Sequence, residues 1–163
     1  MRSAIFFIVI TCVSGFVQAK EIFSARCHLV LTGKELSWSV DDFGSKLRVH
    51  AASPVVDLVA NVSGEKALAL RRRILALRFS REDVDILRAL EVRGPGDNIM
   101  FRPFDGVTYY FRIGDLGVVS IDNPDFDIQY HPDLPAARRL QAVLIVVEEL
   151  TAITTVAAGR TRR

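Results

Sequence analysis

The sequence predicts an α+β fold, in which an antiparallel β-sheet carries amphipathic helices on one face. Two groups of segments with alternating apolar and polar residues predict the sheet, one at 22–51 and the other at 99–121. A wide apolar stripe near the C-terminus predicts a final helix across one face of that sheet. We therefore expect two meander groups of strands, amphipathic helices between and after them, and a long C-terminal helix.

The first nineteen residues have the layout of a secretory signal peptide. Arg2 supplies a positive charge, Ala4–Val13 is a short apolar run, and Val17 and Ala19 are small or modest residues before a cleavage site. The run is shorter than the roughly 20 residues of a comfortable membrane span, and an uncleaved anchor or a buried strand is the alternative. We predict a signal peptide at 1–19 and export to the periplasm or the extracellular space.

The mature chain after this cleavage would be residues 20–163, a length that suits a single globular domain. We expect 159–163 to form a basic tail. The whole chain has 21 basic and 19 acidic residues, a balance that does not favour nucleic-acid binding.

Cleavage of the signal peptide would remove Cys12 and leave Cys27 as the one thiol of the mature chain, which excludes an internal disulfide. Asn61 begins an N-glycosylation sequon, which matters only in a eukaryotic source.

Three alternating segments follow, at 22–31, 35–40 and 46–51, and short turns join them into an antiparallel meander. In the first segment Cys27 belongs to the apolar side and His28 to the polar side. Because neighbouring residues of a strand point to opposite faces, we expect Cys27 to be an inert core thiol. An intermolecular disulfide and a catalytic thiol are the alternatives.

The next pattern predicts a helix. Ser53 can cap a helix, Pro54 suits its first position, and the apolar residues of 55–62 fit helical spacing, with Gly64 as the end. The β-branched residues in this stretch weaken the pattern. The following segment, 65–79, is rich in alanine, leucine and arginine, which favour helix, yet no single stripe collects its leucines. That segment stays open between helix and strand.

Ser80 predicts the start of a further helix, because serine caps helices and acidic residues fill the turn that follows. Glycine and proline at 94–96 end the pattern. Four apolar residues form its expected buried face, namely Val84, Ile86, Leu87 and Leu90.

The second strand group begins with a predicted hairpin. Asp105-Gly106 lies between the apolar runs Ile99–Phe104 and Val107–Ile113, and Asp-Gly favours a two-residue hairpin turn. Val118–Ile121 is the third strand of this group. We therefore expect a second meander, with the three strands paired in sequence order.

The last predicted helix runs from Ala136 to about Ile153 and has a wide apolar stripe that we expect to pack on the sheet. Glu148 and Glu149 interrupt its hydrophobic run. We therefore expect no transmembrane span in the mature chain.

The segment 122–133 is the richest in metal-binding side chains. Its sequence, DNPDFDIQYHPD, includes Asp125, Asp127 and His131, whose carboxylates and imidazole suit a divalent metal. The spacing matches no EF-hand loop, and aspartate, asparagine and proline are also plain turn formers. A metal-assisted hydrolase that uses this segment is therefore an alternative function.

Two further histidines offer a second metal hypothesis. His28 and His50 both lie on the polar faces of predicted strands, and neighbouring rings could bind a metal together with a third ligand. We favour two surface histidines that lie far apart, because no ligand spacing supports a metal site.

The predicted function is a non-catalytic binding module for a protein or envelope partner. The sequence contains no phosphate-binding loop, dinucleotide-binding turn or nucleophile elbow, so we predict no catalytic residue and no cofactor. Tyr110 and Arg112 share the polar face of a predicted strand, and with Trp38 they are candidate anchors for the partner; an ordinary solvated sheet face is the alternative. A third possibility is an oligomeric structural envelope protein, with Cys27 or the last helix at its interface.

Overall fold

The computed structural model describes residues 19–89, 92–93, 99–100, 106–114 and 117–161, and within these ranges it contains eight strands and four helices. The predicted signal peptide, apart from Ala19, lies outside the described residues. In chain order the elements are β1 (Lys20–Leu29), β2 (Lys34–Asp42), β3 (Lys46–Ser53), β4 (Val56–Ser63), α1 (Gly64–Ala76), α2 (Arg81–Ala89), β5 (Val92–Arg93), β6 (Ile99–Met100), β7 (Val107–Ile113), β8 (Val118–Asp122), α3 (Pro124–Tyr130) and α4 (Pro135–Thr161).

Six of these strands form one antiparallel sheet in the order β4-β3-β2-β1-β7-β8, and β5 pairs with β6 in a separate two-stranded sheet. The predicted α+β class is thereby confirmed. The first predicted meander is present, and β4 extends it by one strand. The second group contributes a hairpin of β7 and β8, which joins the sheet beside β1.

The alternation within the strands decides which face is buried. Along β1, Phe23, Ala25 and Cys27 are buried while Arg26 is exposed. Ala25 lies opposite Phe111 of β7, which is also fully buried. The predicted inward direction of Cys27 is confirmed. The buried residues Phe23, Ala25, Cys27 and Phe111 belong to one hydrophobic cluster with the buried side chains of α1, α2 and α4.

The helix predicted over 55–62 is wrong, because this stretch is the strand β4. Ser53 and Pro54 start a tight turn instead of a helix. The backbone N–H groups of Val55 and Val56 donate to the Ser53 hydroxyl oxygen at 3.4 and 3.1 Å. A serine–proline pair suits both a helix start and a turn, and the β-branched residues that follow pack better on a pleated surface.

Most of the segment 65–79, which the sequence left open between helix and strand, forms the helix α1; this helix begins directly after β4 at Gly64 and ends at Ala76. Ala67, Leu70 and Ile74 are buried on one face, at spacings of three and four residues. Leu68 and Leu75 are exposed. These two exposed leucines explain why no single stripe collects the apolar residues of this segment.

The helix predicted after Ser80 is confirmed as α2. The backbone N–H of Ser80 donates to a carboxylate oxygen of Asp83 at 2.9 Å, and the N–H of Asp83 donates to the Ser80 hydroxyl oxygen at 3.4 Å. This reciprocal pair is a capping box with aspartate in the acidic position. Val84 and Leu87 are buried as predicted, but Ile86 is exposed because it lies on a different face of the helix. Leu90 lies outside the described residues.

The hairpin predicted between Ile99–Phe104 and Val107–Ile113 is wrong in its pairing. Both edges of β7 are occupied, one by β1 and the other by β8, so no edge is left for the strand before it. Within the described residues β6 pairs with β5. Residues 101–105, which include Asp105 of the predicted turn and most of the strand predicted before it, lie outside the described part of the chain.

The C-terminal helix α4 extends beyond the predicted end, to Thr161. Residues 159–161 of the predicted basic tail are therefore helical, and 162–163 lie outside the described residues. By length and mean hydropathy, which reaches 1.7, α4 could also cross a membrane, so the absence of a membrane span stays a prediction. The helix contacts β2, β3 and β4, and four residues of its apolar stripe are buried, namely Leu140, Val143, Val147 and Leu150.

The four helices lie on the same side of the sheet. The helices α1 and α4 contact β3 and β4, α2 contacts β8, and α3 contacts β7, and their buried or partly buried apolar residues pack with the core-facing side chains of the strands. No element in the described part of the chain covers the opposite side of the sheet. We call this uncovered side the outer face.

Candidate functional site

The strand register brings polar and charged side chains side by side on the outer face, together with exposed apolar ones such as Val59 and Val118. Tyr110 on β7 lies opposite Arg26 on β1 and Ser120 on β8, and Arg26 lies opposite Ser37 on β2. Arg112 lies two residues further along β7. The other side chains used below are Ser24, His28, Glu35, Ser39, His50, Val59 and Val118. All of these residues are partly or fully exposed.

Two shallow, open depressions lie next to each other on this face. The first has a volume of about 300 Å³ and is lined by Tyr110, Arg112 and His50, together with three short side chains, Ser24, Ser37 and Ser39. The second has a volume of about 260 Å³ and is lined by Arg26, His28, Glu35 and Tyr110. Arg26 and Tyr110 line both, so they stand between the two depressions.

The two arginines beside Tyr110 are held by long, exposed ion pairs. Arg112 lies 3.8 Å from Glu21, and Arg26 lies 3.7 Å from Glu35. Exposed pairs of this kind contribute little to stability, because water and salt screen them. Both guanidinium groups can therefore exchange these contacts for hydrogen bonds to a partner. His50 is also paired at the surface, since its Nε2 atom lies 2.5 Å from a carboxylate oxygen of Asp57.

Of the three predicted anchors, two lie on the outer face and one does not. Tyr110 is 41% exposed and Arg112 is exposed beside it. The assignment of Trp38 as a surface anchor is wrong, because its side chain points into the core and is only 8% exposed. Its indole N–H donates to the hydroxyl oxygen of Thr151 on α4 at 2.9 Å. Trp38 therefore fixes the last helix on the sheet.

Cys27 is 2% exposed, beneath the helices. Burial raises the pKa of its thiol, and a hydrogen bond with Tyr109 opposes this only in part. Burial and the contact with Cys27 also raise the pKa of Tyr109. A protonated, inaccessible thiol is a poor nucleophile and cannot reach a second molecule. The catalytic and intermolecular-disulfide alternatives for Cys27 both conflict with this position.

The segment 122–133 contains the short helix α3, where the sequence predicted only a connection. Proline in the first turn and acidic residues after it could have indicated this helix. Asp122 accepts a hydrogen bond of 2.6 Å from the Thr108 hydroxyl, and Asp133 accepts one of 3.0 Å from Arg138. Among the described residues, no three His, Cys, Asp or Glu side chains form a group that could hold a metal ion. The hydrolase hypothesis gains no support from this geometry.

His28 and His50 share the outer face but lie far apart. His28 is opposite Glu35 on β2, whereas His50 is opposite Ser39 on the same strand. Four residues of β2 separate these levels, which is about 13 Å at 3.3 Å per residue. The two imidazoles therefore cannot share a metal ion, as the favoured interpretation held.

Sequence reasoning did not identify Arg26 or the three serines as part of the site. Alternation places each of them on the polar side of its strand. Their alignment with Tyr110 depends on the register between β1, β2 and β7, and the pairing of β1 with β7 joins residues more than 80 positions apart. No pattern within one segment carries that information.

Comparison with protein-family models, curated proteins and solved structures finds no match for this chain.

Proposed function

We propose that this protein is an exported binding module that contacts a protein or envelope partner through its outer face. The observation that carries the proposal is the one-sided packing of the fold. The helices lie on one side of the sheet and leave Tyr110, Arg26 and Arg112 together on the other side. Tyrosine and arginine are the side chains most often found at the energetic centre of protein interfaces, along with tryptophan.

The shape and polarity of the outer face support contact with a broad surface. The depressions beside Tyr110 are shallow and open, so a partner can approach without entering a cleft. The serines between the long side chains leave room for a partner's backbone and offer hydroxyl groups for hydrogen bonds. The arginines give up only weak contacts when they bind.

The change Tyr110→Ala is expected to abolish capture of the partner. Tyr110 lies between the two depressions, so its removal takes away the central contact area, and truncation of such an anchor weakens binding by about 2 kcal/mol or more. The measurement is quantitative mass spectrometry of proteins captured by the tagged chain under native conditions.

Tyr130→Ala is the matched control, because Tyr130 on α3 is 38% exposed and lies away from the outer face. This variant is expected to capture the same proteins as the natural chain. If both variants capture the same proteins in equal amounts, Tyr110 is not a contact residue and the outer face loses its main support.

Export is expected to yield a mature chain that starts at Lys20. The strand β1 begins at this residue, and Lys20 already lies opposite Asp42 of β2, so cleavage after Ala19 would leave the whole sheet intact. Intact-mass analysis of protein recovered outside the cytoplasm measures the first residue. Ala19→Phe should block cleavage, because the cut requires a small residue at that position. A chain that keeps residues 1–19, or that stays in the cytoplasm, would contradict the proposal.

A further inference from the structure

The two edges of the main sheet differ in their protection. The strand β8 has five residues, and its Ser120 carbonyl accepts a hydrogen bond of 3.4 Å from Arg88 of α2. The strand β4 has eight residues and pairs with β3 without a register shift. It contains no proline or lysine, its one charged residue is Asp57, and its Val56 and Val59 are exposed. Natural sheets usually block such an edge with charges, proline or a bulge, because its backbone groups can pair with another chain.

The sequence of β4 is nearly palindromic in its polarity. Residues 56–62 read VDLVANV, and Val59 is the centre. On either side of Val59 the order is apolar, polar, apolar, with Asp57 at one polar position and Asn61 at the other. A palindrome of this kind makes a strand complementary to an antiparallel copy of itself.

We propose that β4 pairs with β4 of a second copy of this chain, in an antiparallel register centred on Val59. Asp57 then lies opposite Asn61 of the second copy, and Val59 lies opposite its own equivalent. On the helix side, Leu58 faces Ala60 of the second copy and Val56 faces Val62. Every polar residue meets a polar one and every apolar residue meets an apolar one, as in stable cross-strand pairs.

The backbone and the charges select this register among its neighbours. In an antiparallel sheet, every second residue of an edge strand points its N–H and C=O groups away from the sheet. Two copies of β4 can therefore pair only if directly opposed residues both have odd numbers or both have even numbers. A register centred on Val59 meets this condition. Centring on Asp57 would oppose two carboxylates, and centring on Leu58 or Ala60 would place Val59 opposite a polar residue.

The surface on the helix side of β4 also fits a second copy. A groove of about 660 Å³ runs between β4, α1 and the end of α4, and Ile153 and the exposed Val156 line it. A twofold axis through Val59 is perpendicular to the sheet, so both grooves lie on the same side of the joined sheet, and each lies beside residues 55–58 of the other copy. The dimer uses neither Cys27 nor the buried stripe of α4. It is independent of the partner proposed for the outer face.

The first test is the mass of the natural chain and of Val59→Lys in solution, measured by sedimentation equilibrium. We expect a dimer for the natural chain, and self-association about tenfold weaker or more for the variant, because two lysines would face each other at the axis. Val59 is 53% exposed, so the variant should fold. Val118→Lys is the matched control, since Val118 is 56% exposed on the same face at the other edge, and it should remain dimeric. A monomeric natural chain, or a Val59→Lys variant that stays dimeric, would overturn the proposal.

The second test measures the register itself. In a chain that also carries Cys12→Ser, Val59→Cys should form a dimer that reductant splits, because directly opposed residues have Cα atoms about 4.5–5.5 Å apart, within disulfide range. Asp57→Cys should not, because it faces Asn61 of the second copy and not itself. Equal crosslinking of the two variants, or crosslinking of Asp57→Cys alone, would contradict the Val59 register.

Discussion

Replacing Phe111 with alanine is expected to destabilise the fold by about 3–5 kcal/mol, the usual range for a buried aromatic ring. Phe111 is fully buried on β7, opposite Ala25 on one side and Val119 on the other. Its ring meets Phe79 edge-to-face at 6.2 Å between centroids and stacks on Tyr109 at 5.5 Å. The substitution would open a cavity where the first meander joins the β7–β8 hairpin.

Urea-induced unfolding of the natural chain and the variant measures this loss directly. Tyr110→Ala is the matched control, because Tyr110 directly precedes Phe111 on β7 but belongs to the outer face. Its stability should lie within about 0.5 kcal/mol of the natural chain, as for most surface substitutions. A similar loss for both variants would mean that the two faces of β7 are not distinguished as the structure has them.

Replacing Arg139 with methionine is expected to destabilise the fold by about 3 kcal/mol at neutral pH, because it leaves a buried carboxylate without its cationic partner. The side chain of Asp83 is buried, and Arg139 donates to both of its oxygens. Arg138 is the neighbouring residue on α4, and its pair with Asp133 is well exposed. Arg138→Met should therefore change the unfolding free energy by less than about 0.5 kcal/mol.

The loss in Arg139→Met should also depend on pH. Burial by itself raises the pKa of Asp83, but the hydrogen bonds from Arg139 and Ser80 and the charge of Arg139 lower it on balance. A lowered folded-state pKa means that Asp83 stabilises the natural chain above its unfolded pKa, about 3.9, and that this stability is lost as the pH falls through the folded value. In Arg139→Met the arginine no longer lowers the pKa of Asp83, and burial raises it. The difference in unfolding free energy between the natural chain and the variant should therefore shrink towards pH 3. An equal gap at pH 7 and pH 3 would contradict this account.

The sequence predicted best where one segment carries the whole pattern. Alternation within β1, β2, β3, β7 and β8 decides their type and their buried face, because the period of two is a local property. The stretch after Ser53 was ambiguous, since serine and proline start both helices and turns. The segment after Gly64 was ambiguous for another reason, because Leu68 and Leu75 lie outside the buried stripe.

The candidate site could be predicted only in part. The polar side of β7 identified Tyr110 and Arg112, because both follow from alternation. Trp38 was misplaced, although its own strand alternates and puts it beside Val40 on the apolar side. Arg26 joins the site through the pairing of β1 with β7, and the free edge of β4 depends on the order of all six strands. Both are properties of the assembled sheet.

Photo-crosslinking in living cells tests most directly whether the outer face is the surface that contacts the partner. A benzoylphenylalanine placed at the position of Tyr110 should give a discrete adduct with a partner, because this side chain lies between the two depressions of the outer face. The same group at the position of Tyr130, which is similarly exposed but lies on α3, should not give that adduct. An adduct from the first position alone is the result we predict. No adduct from the first position, or the same adduct from both, would contradict the assignment of the outer face as the contact surface.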